Sequence, residues 1–336
     1  MDASELLEHY ATGHRMFIGA RLVQAELQQV SLPQINLWQA DLTAANLRQA
    51  NLTQADLREA NLASADLRDT NLQKADLRQA QLQSANLQQT NLRGALYDEA
   101  TQFPAEFDPT SAGLYLIAPG SNLPQANLSG MDLAGVDFSE ADLRQANLSH
   151  TSLFGADLGG ANLEKADLTA ANLTSANLTR ASLKGAILQQ TKLSHATLQY
   201  TNLFNTDLRT SRCEQANFWH SLCDTTTRFP SHFMLSCLGI YWIVPQASLR
   251  QVTLSRVQLA GADLRGADLT NANLSGTNLQ GADLSEARLN NANFTAANLQ
   301  SASLLDADLT GAIWTGANLQ DADLPPTLLM PQSQEG

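Results

Sequence analysis

Positive charge is scarce in this chain. Twenty Lys and Arg stand against 33 Asp and Glu, a formal net charge of −13, so no direct nucleic-acid binding is expected. Cysteine is nearly absent, with three residues in 336. So small and odd a set builds no disulfide framework and suits reduced thiols in a cytoplasmic setting. Aromatics amount to 6%, and the 43% of apolar residues are mostly Leu and Ala. Met1-Asp2-Ala3-Ser4-Glu5 has neither a basic nor an apolar leader region, and no signal peptide is expected from it. The longest apolar run, Phe233 to Val244, is too short for a membrane span and reads as a buried strand or cap, the alternative being a membrane or partner contact.

What the chain has in abundance is a period of five. Ala40-Asp41-Leu42, Ala45-Asn46-Leu47, Ala50-Asn51-Leu52 and Ala55-Asp56-Leu57 show it most clearly. With each Leu taken as a centre, unbroken registers run from Phe17 to Tyr97, Leu123 to Cys223 and Leu249 to Leu324, in all 54 units over 270 residues. Two residues before each centre sits Ala or a small or β-branched substitute such as Thr70, Thr90, Thr191 or Val136, with Arg15 and Met131 as the exceptions. Five matches neither the 3.6 of a helix nor the 2 of a strand, so the backbone must turn a corner at every unit.

This pattern resembles the pentapeptide-repeat family, whose consensus is A(D/N)LXX. The resemblance implies an all-β fold, a right-handed quadrilateral β-helix in which four units make a square coil of twenty residues and centres point inward. Stacked Leu side chains would each contribute roughly 1.5–3 kcal/mol on burial. At the strand spacing of about 4.8 Å, the coils would make a rod of roughly 65 Å if they stacked without a break.

The ends and interruptions complete the expected organisation. Residues 1–14 form an N-terminal capping helix, with Asp2 and Glu5 as a capping box and Leu6, Leu7 and Tyr10 as an apolar face. Repeat blocks follow at 15–97, 121–225 and 247–324, separated by inserts at 98–120 and 226–246; 325–336 is a tail in which Leu328 to Met330 fold over the last coil. The two inserts are copies offset by 126 residues: Thr101, Phe103, Pro104, Phe107 and Tyr115 match Thr227, Phe229, Pro230, Phe233 and Tyr241. The shared string resembles an insert of cyanobacterial members of the family. Either the chain runs once round irregularly, or it leaves and returns as a packed excursion. The six aromatic residues Phe103, Phe107, Tyr115, Phe229, Phe233 and Tyr241 either seal coil edges or project and recognise a partner. Larger residues two before a centre (Val30, Ile35, Met131, Val136, Val252 and Val257) gather near the starts of blocks, as though something apolar sits there.

No reaction centre is legible. The six histidines are scattered, and His150, His195 and His220 occupy outward positions two after a centre, without metal spacing. Neither a nucleophile turn nor a Gly-rich phosphate loop occurs. The chain therefore reads as a non-enzyme, with no cofactor and no metal. Residues twenty apart stack, so Ser31, Asn51, Asn71 and Asn91 form an amide ladder, while Arg58 with Arg78 and Arg48 with Arg68 are expected to be neutralised by Glu59 and Asp69. The acids of 263–323 outnumber Arg265 and Arg288, and Asp263, Asp283 and Asp323 stack on one face beside Glu286 and Asp306. The reading is a rigid scaffold for protein–protein interaction with an unknown protein partner. A homodimer through an end or an insert fits the same surface. The alternative is a DNA mimic: family members of the Qnr and MfpA type resemble DNA and bind DNA gyrase, and an acidic rod could occupy a cationic groove in the same way.

Overall fold

A computed structural model of the chain describes residues 2–231, 233 and 238–326. The expected cap by Leu328 to Met330, the thiol of Cys237 and part of the Phe233–Val244 run lie outside them. The chain divides into two compact units, Met1–Asn127 and Leu128–Gly336.

The coil can be derived from its backbone donors, taking residues 40–44. Ala40 N–H donates to Leu37 O (2.9 Å), closing the preceding corner. Asp41 N–H donates back one coil to Ala20 O (2.9 Å), while Leu42 and Ala44 donate forward to Asn61 O (2.8 Å) and Ala63 O (2.9 Å). The one donor left, Thr43 N–H, goes to the Asp41 side chain, whose Oδ1 accepts it at 3.1 Å. All five donors are satisfied, as a stacked backbone requires. Asp and Asn interchange at this position because both supply the Oδ1 acceptor. The result is a parallel ladder with a step of twenty residues, such as Asp41↔Asn61 and Asp157↔Asn177, and the fold is the right-handed quadrilateral β-helix.

Each corner is a four-residue turn with positive φ only at its second central residue, as at Gln49 (φ 59), which is the type II pattern. Between successive centres of the three registers every residue at this place has positive φ except Thr210. Thr210 is also the sole β-branched residue there, and branching at Cβ makes the left-handed region costly. Its corner takes another path, and the Thr210 hydroxyl accepts from Gln190 N–H at 3.2 Å.

In the first unit the centres Leu22 to Leu82 are at most 2% exposed, and the Ala residues two before a centre, from Ala40 to Ala80, are at most 1% exposed. Threonine replaces Ala without an orphaned hydroxyl, because Oγ1 of Thr70 donates to Leu47 O (2.7 Å), 23 residues back. The helix α1 (Ala3–Ala11) carries the Asp2–Glu5 capping box and buries Leu6 completely. Leu7, Tyr10 and Val30 pack against the same core, and Tyr10 Oη bonds Pro33 O at 2.8 Å.

Both inserts stay hydrogen-bonded to the coil before them, one irregular turn rather than a free excursion. Gln81 pairs with Gln102 and Asp207 with Arg228, steps of 21. Strand β1 (Leu96–Tyr97) then pairs with β2 (Tyr115–Leu116), and β3 (Leu222–Cys223) with β4 (Tyr241–Trp242), steps of 19.

In the second unit the third block does not continue the stack of the second. It lies alongside: Lys184 Nζ donates to Ala260 O (2.9 Å), Asn202 Nδ2 to Gln258 O (2.8 Å) and Arg180 Nε to Ser255 O (3.3 Å). Phe204, Leu222 and Ile243 share a core with Val257 and Leu254. A single unbroken column through Leu324 is therefore not formed. Insert 2 covers the end of block 2 with its own side chains, and Phe204 and Val257 become buried through side-by-side packing.

Candidate interaction surfaces

The insert aromatics lie against the coils they follow. Phe103 meets Tyr97 edge to face (centroids 5.7 Å) and stacks on Phe107 (5.0 Å), both half-buried against the core of the first unit. Phe229 and Phe233 meet the fully buried Phe218 edge to face at 5.6 and 5.8 Å. Their polar frames also match. Thr101 Oγ1 donates to Leu77 O (3.0 Å) and Thr227 Oγ1 to Leu203 O (2.8 Å).

Tyr115 and Tyr241 differ in their neighbours. Tyr115 lies near Gly94 and Lys74, and burial pulls the Lys74 ammonium below its ordinary pKa. Tyr241 closes a ladder that the sequence reading did not single out: Tyr241 stacks on His220 (4.5 Å), His220 Nδ1 lies 2.9 Å from Tyr200 Oη, and Arg180 sits over the Tyr200 ring (5.1 Å). Trp219 flanks His220 and is 51% exposed. The signal available was spacing, since Arg180, Tyr200 and His220 are twenty apart. Burial moves the His220 pKa down and the Tyr241 pKa up.

Charge pairing departs from the expected pattern. Arg58 is held by Asp56, two residues before it (2.7 Å), with Asp76 at 3.7 Å. Glu59 instead accepts from Gln39 and Trp38. The Asp-Leu-Arg fork recurs at Asp66–Arg68, Asp76–Arg78, Asp142–Arg144 and Asp207–Arg209, because side chains on either side of an inward centre point outward together. Asp69 takes its expected partner, Arg48, at 3.7 Å, and the side-chain bonds from Gln39 and Trp38, with the charge of Arg58, hold the Glu59 pKa below its ordinary value. The amide ladder is present, with Asn91 Nδ2 donating to Asn71 Oδ1 at 3.2 Å.

On the acidic face, Asp263 and Asp283 pair in the ladder, and Asp323 joins it through Ser303. Arg265 reaches Asp263 at 2.8 Å and Asp283 at 3.5 Å, and Glu286 adds to the same field. Asp306 sits one coil beyond Glu286 at the equivalent corner. Asp268 is shared by Arg250 and Arg288, each at 3.1 Å. The structure thus gathers Asp263, Asp283 and Glu286 around one guanidinium and leaves Asp306 and Asp323 further along.

Among the described residues no group of three or more His, Cys, Asp or Glu is placed to hold a metal ion. Cys213 and Cys223 are buried centres whose thiols are pushed up to about 12 by desolvation, which leaves them as inert apolar filling at neutral pH. Among the described residues no helix is long and apolar enough to cross a membrane.

The family model for pentapeptide repeats, eight copies long, matches at 20–58, 60–96, 120–149, 151–190, 171–209, 186–221, 247–285, 277–313 and 302–325. Among solved structures, alr5209, a pentapeptide repeat protein from Nostoc PCC 7120, is 45% identical over 34% of this chain and 95% of its own, with a TM-score of 0.34. HetL, a pentapeptide repeat protein involved in heterocyst differentiation regulation in the cyanobacterium Nostoc sp. strain PCC 7120, is 28% identical over 96% of each chain, with a TM-score of 0.25. QnrB1, a plasmid-mediated fluoroquinolone resistance protein, is 19% identical over 60% of this chain and 91% of its own, with a TM-score of 0.26. Superpositions this loose carry no functional argument. No curated protein matches the sequence.

Proposed function

The chain belongs to the pentapeptide-repeat family, and from that premise we propose that it is a non-catalytic, cytoplasmic scaffold that binds a protein partner. The observation that supports this most directly is the division of labour within each unit. Inward positions are nearly constant and committed to the core, while outward residues stand on a backbone ladder hydrogen-bonded from coil to coil. Such a wall holds its side chains at fixed spacing with little left to order on binding, which favours recognition of an extended partner surface. The six insert aromatics and the acidic set Asp263, Asp283, Glu286, Asp306 and Asp323 are the places where a partner would be read.

Mimicry of DNA is the weaker reading. Arg265 spans two rungs of the acidic face and Arg250 and Arg288 share Asp268, so the wall alternates in sign where a mimic needs a continuous anionic edge.

Capture on the immobilised chain from host extract, followed by reconstitution with the purified binder, tests the scaffold. A saturable complex is expected, weakened by Asp263→Lys or Asp283→Lys, or by Phe107→Ala, with the rest of the chain folded. Recovery of no specific binder, or turnover of a substrate, would sink the reading. Inhibition of gyrase supercoiling at micromolar chain would instead favour mimicry.

A further inference from the structure

Beside the contacts that join them, the two columns of the second unit enclose a cleft of about 710 Å³. Glu140, Thr179 and Arg180 line it from block 2, and Ser255, Arg256 and Gln258 from block 3. Each wall carries one long charged side chain laid along a glycine of the next coil. A Cβ on Gly160 would stand 2.6 Å from a Glu140 carboxylate oxygen, and one on Gly276 would stand 3.2 Å from Arg256 Cγ. Left-handed φ does not by itself demand glycine at these corners, since Gln, Ser and Lys adopt it elsewhere in the chain. The glycines clear the walls so that a carboxylate and a guanidinium can lie in the cleft.

Neither head group has a hydrogen bond or an ion pair among the described residues. Glu140 and Arg256 share the cleft from opposite columns without pairing. A second guanidinium, Arg180, is held at its edge by Ser255 O and the Tyr200 ring. A simple anion would meet the Glu140 carboxylate, and a simple cation would meet two guanidinium groups. A ligand carrying both charges satisfies both walls, through the charge-assisted hydrogen bonds that such groups make most strongly.

We propose that this cleft binds a small zwitterion of the amino-acid class, a free amino acid or a short peptide, with its ammonium on Glu140 and its carboxylate on Arg256. Thr179 and Gln258 supply neutral polar contacts between the two ends. The site is independent of the protein-partner reading, because it lies between columns and uses none of the insert aromatics or the acidic face.

Calorimetry of the full chain with alanine, trialanine and N-acetyl-trialanine-amide tests it. At least one of the two unblocked probes binds at millimolar concentration or below, and the doubly blocked peptide does not. The two unblocked probes separate a free amino acid from a peptide as the source. Glu140→Gln and Arg256→Gln each weaken binding roughly tenfold or more, with melting temperature unchanged because both side chains are exposed corners. Gly160→Gln, which fills the wall beneath Glu140, also weakens it. Silence from both unblocked probes, equal binding of the blocked peptide, tighter binding of inorganic phosphate, or unaltered affinity in both charge variants overturns the proposal.

Discussion

Asp224 caps Asn205. Its Oδ1 lies 3.3 Å from the Asn205 backbone nitrogen. In a regular coil the amide at this corner donates to the carbonyl of the residue nineteen positions on, as Gln49 does to Arg68 O. Here that same residue answers with its side chain, and Asp98 does so for Gln79 at 2.9 Å. The ladder is thus closed by carboxylates at both inserts, with Thr101 and Thr227 completing each frame.

Removing a cap should expose its cost. Asp98→Ala and Asp224→Ala are expected to destabilise their units by about 1–3 kcal/mol, since each carboxylate accepts several backbone and hydroxyl donors of its turn. Asp→Asn at either site, which keeps Oδ1, should cost distinctly less. Denaturant melts of the two pairs decide it; equal losses for Ala and Asn would show that geometry is not the cause.

The aromatic seals make a second case. Phe103→Ala and Phe229→Ala remove rings packed on Tyr97 and Phe218 and should cost about 2–4 kcal/mol, somewhat less than a fully buried ring. Thermal unfolding measures this. Loss of partner binding with unchanged melting would make the inserts recognition loops instead.

His220 should make the second unit sensitive to acid. Burial depresses its pKa, so the unfolded chain takes up the proton first. The stability held by neutral His220 is then full above about pH 6.5 and is lost as pH falls through that value toward the folded pKa. The groups facing the ring are Tyr200, Tyr241 and Trp219, with Arg180 beyond Tyr200; none supplies a carboxylate to hold an imidazolium. Trp219 fluorescence followed from pH 8 to 5 should report a transition that His220→Phe abolishes. A histidine resonance titrating at or above the ordinary value would refute it.

Corners should reject branching. Gln49→Val forces a β-branched residue to φ 59 and is expected to cost about 1–3 kcal/mol, whereas Gln49→Gly should be near neutral. Chemical melts compare the two, and a tolerated valine would mean the corner can switch to the path taken at Thr210.

The sequence reading reached far into the fold because the coil is a local device. A five-residue unit carries its own inward Leu, its own Asx acceptor and its own corner, and it meets an identical unit twenty residues away. That spacing dictates the β-helix, the amide ladder of Asn71 and Asn91, and the buried state of Cys213 and Cys223. Even the exceptional corner was written plainly in the lone Thr210, although the reading passed over it.

Other features depend on contacts for which the period has no term. Arg58 pairs with Asp56 rather than Glu59 because a short fork across one centre gives it a bidentate partner. The third block lies beside the second because Lys184 and Asn202 find carbonyls at Ala260 and Gln258, residues 76 and 56 positions away. Such pairings follow from which outward side chains happen to meet once the coils exist. Each five-residue unit therefore carries the column within itself, whereas the placing of one column against another, and the cleft it creates, arose only when the outward faces packed.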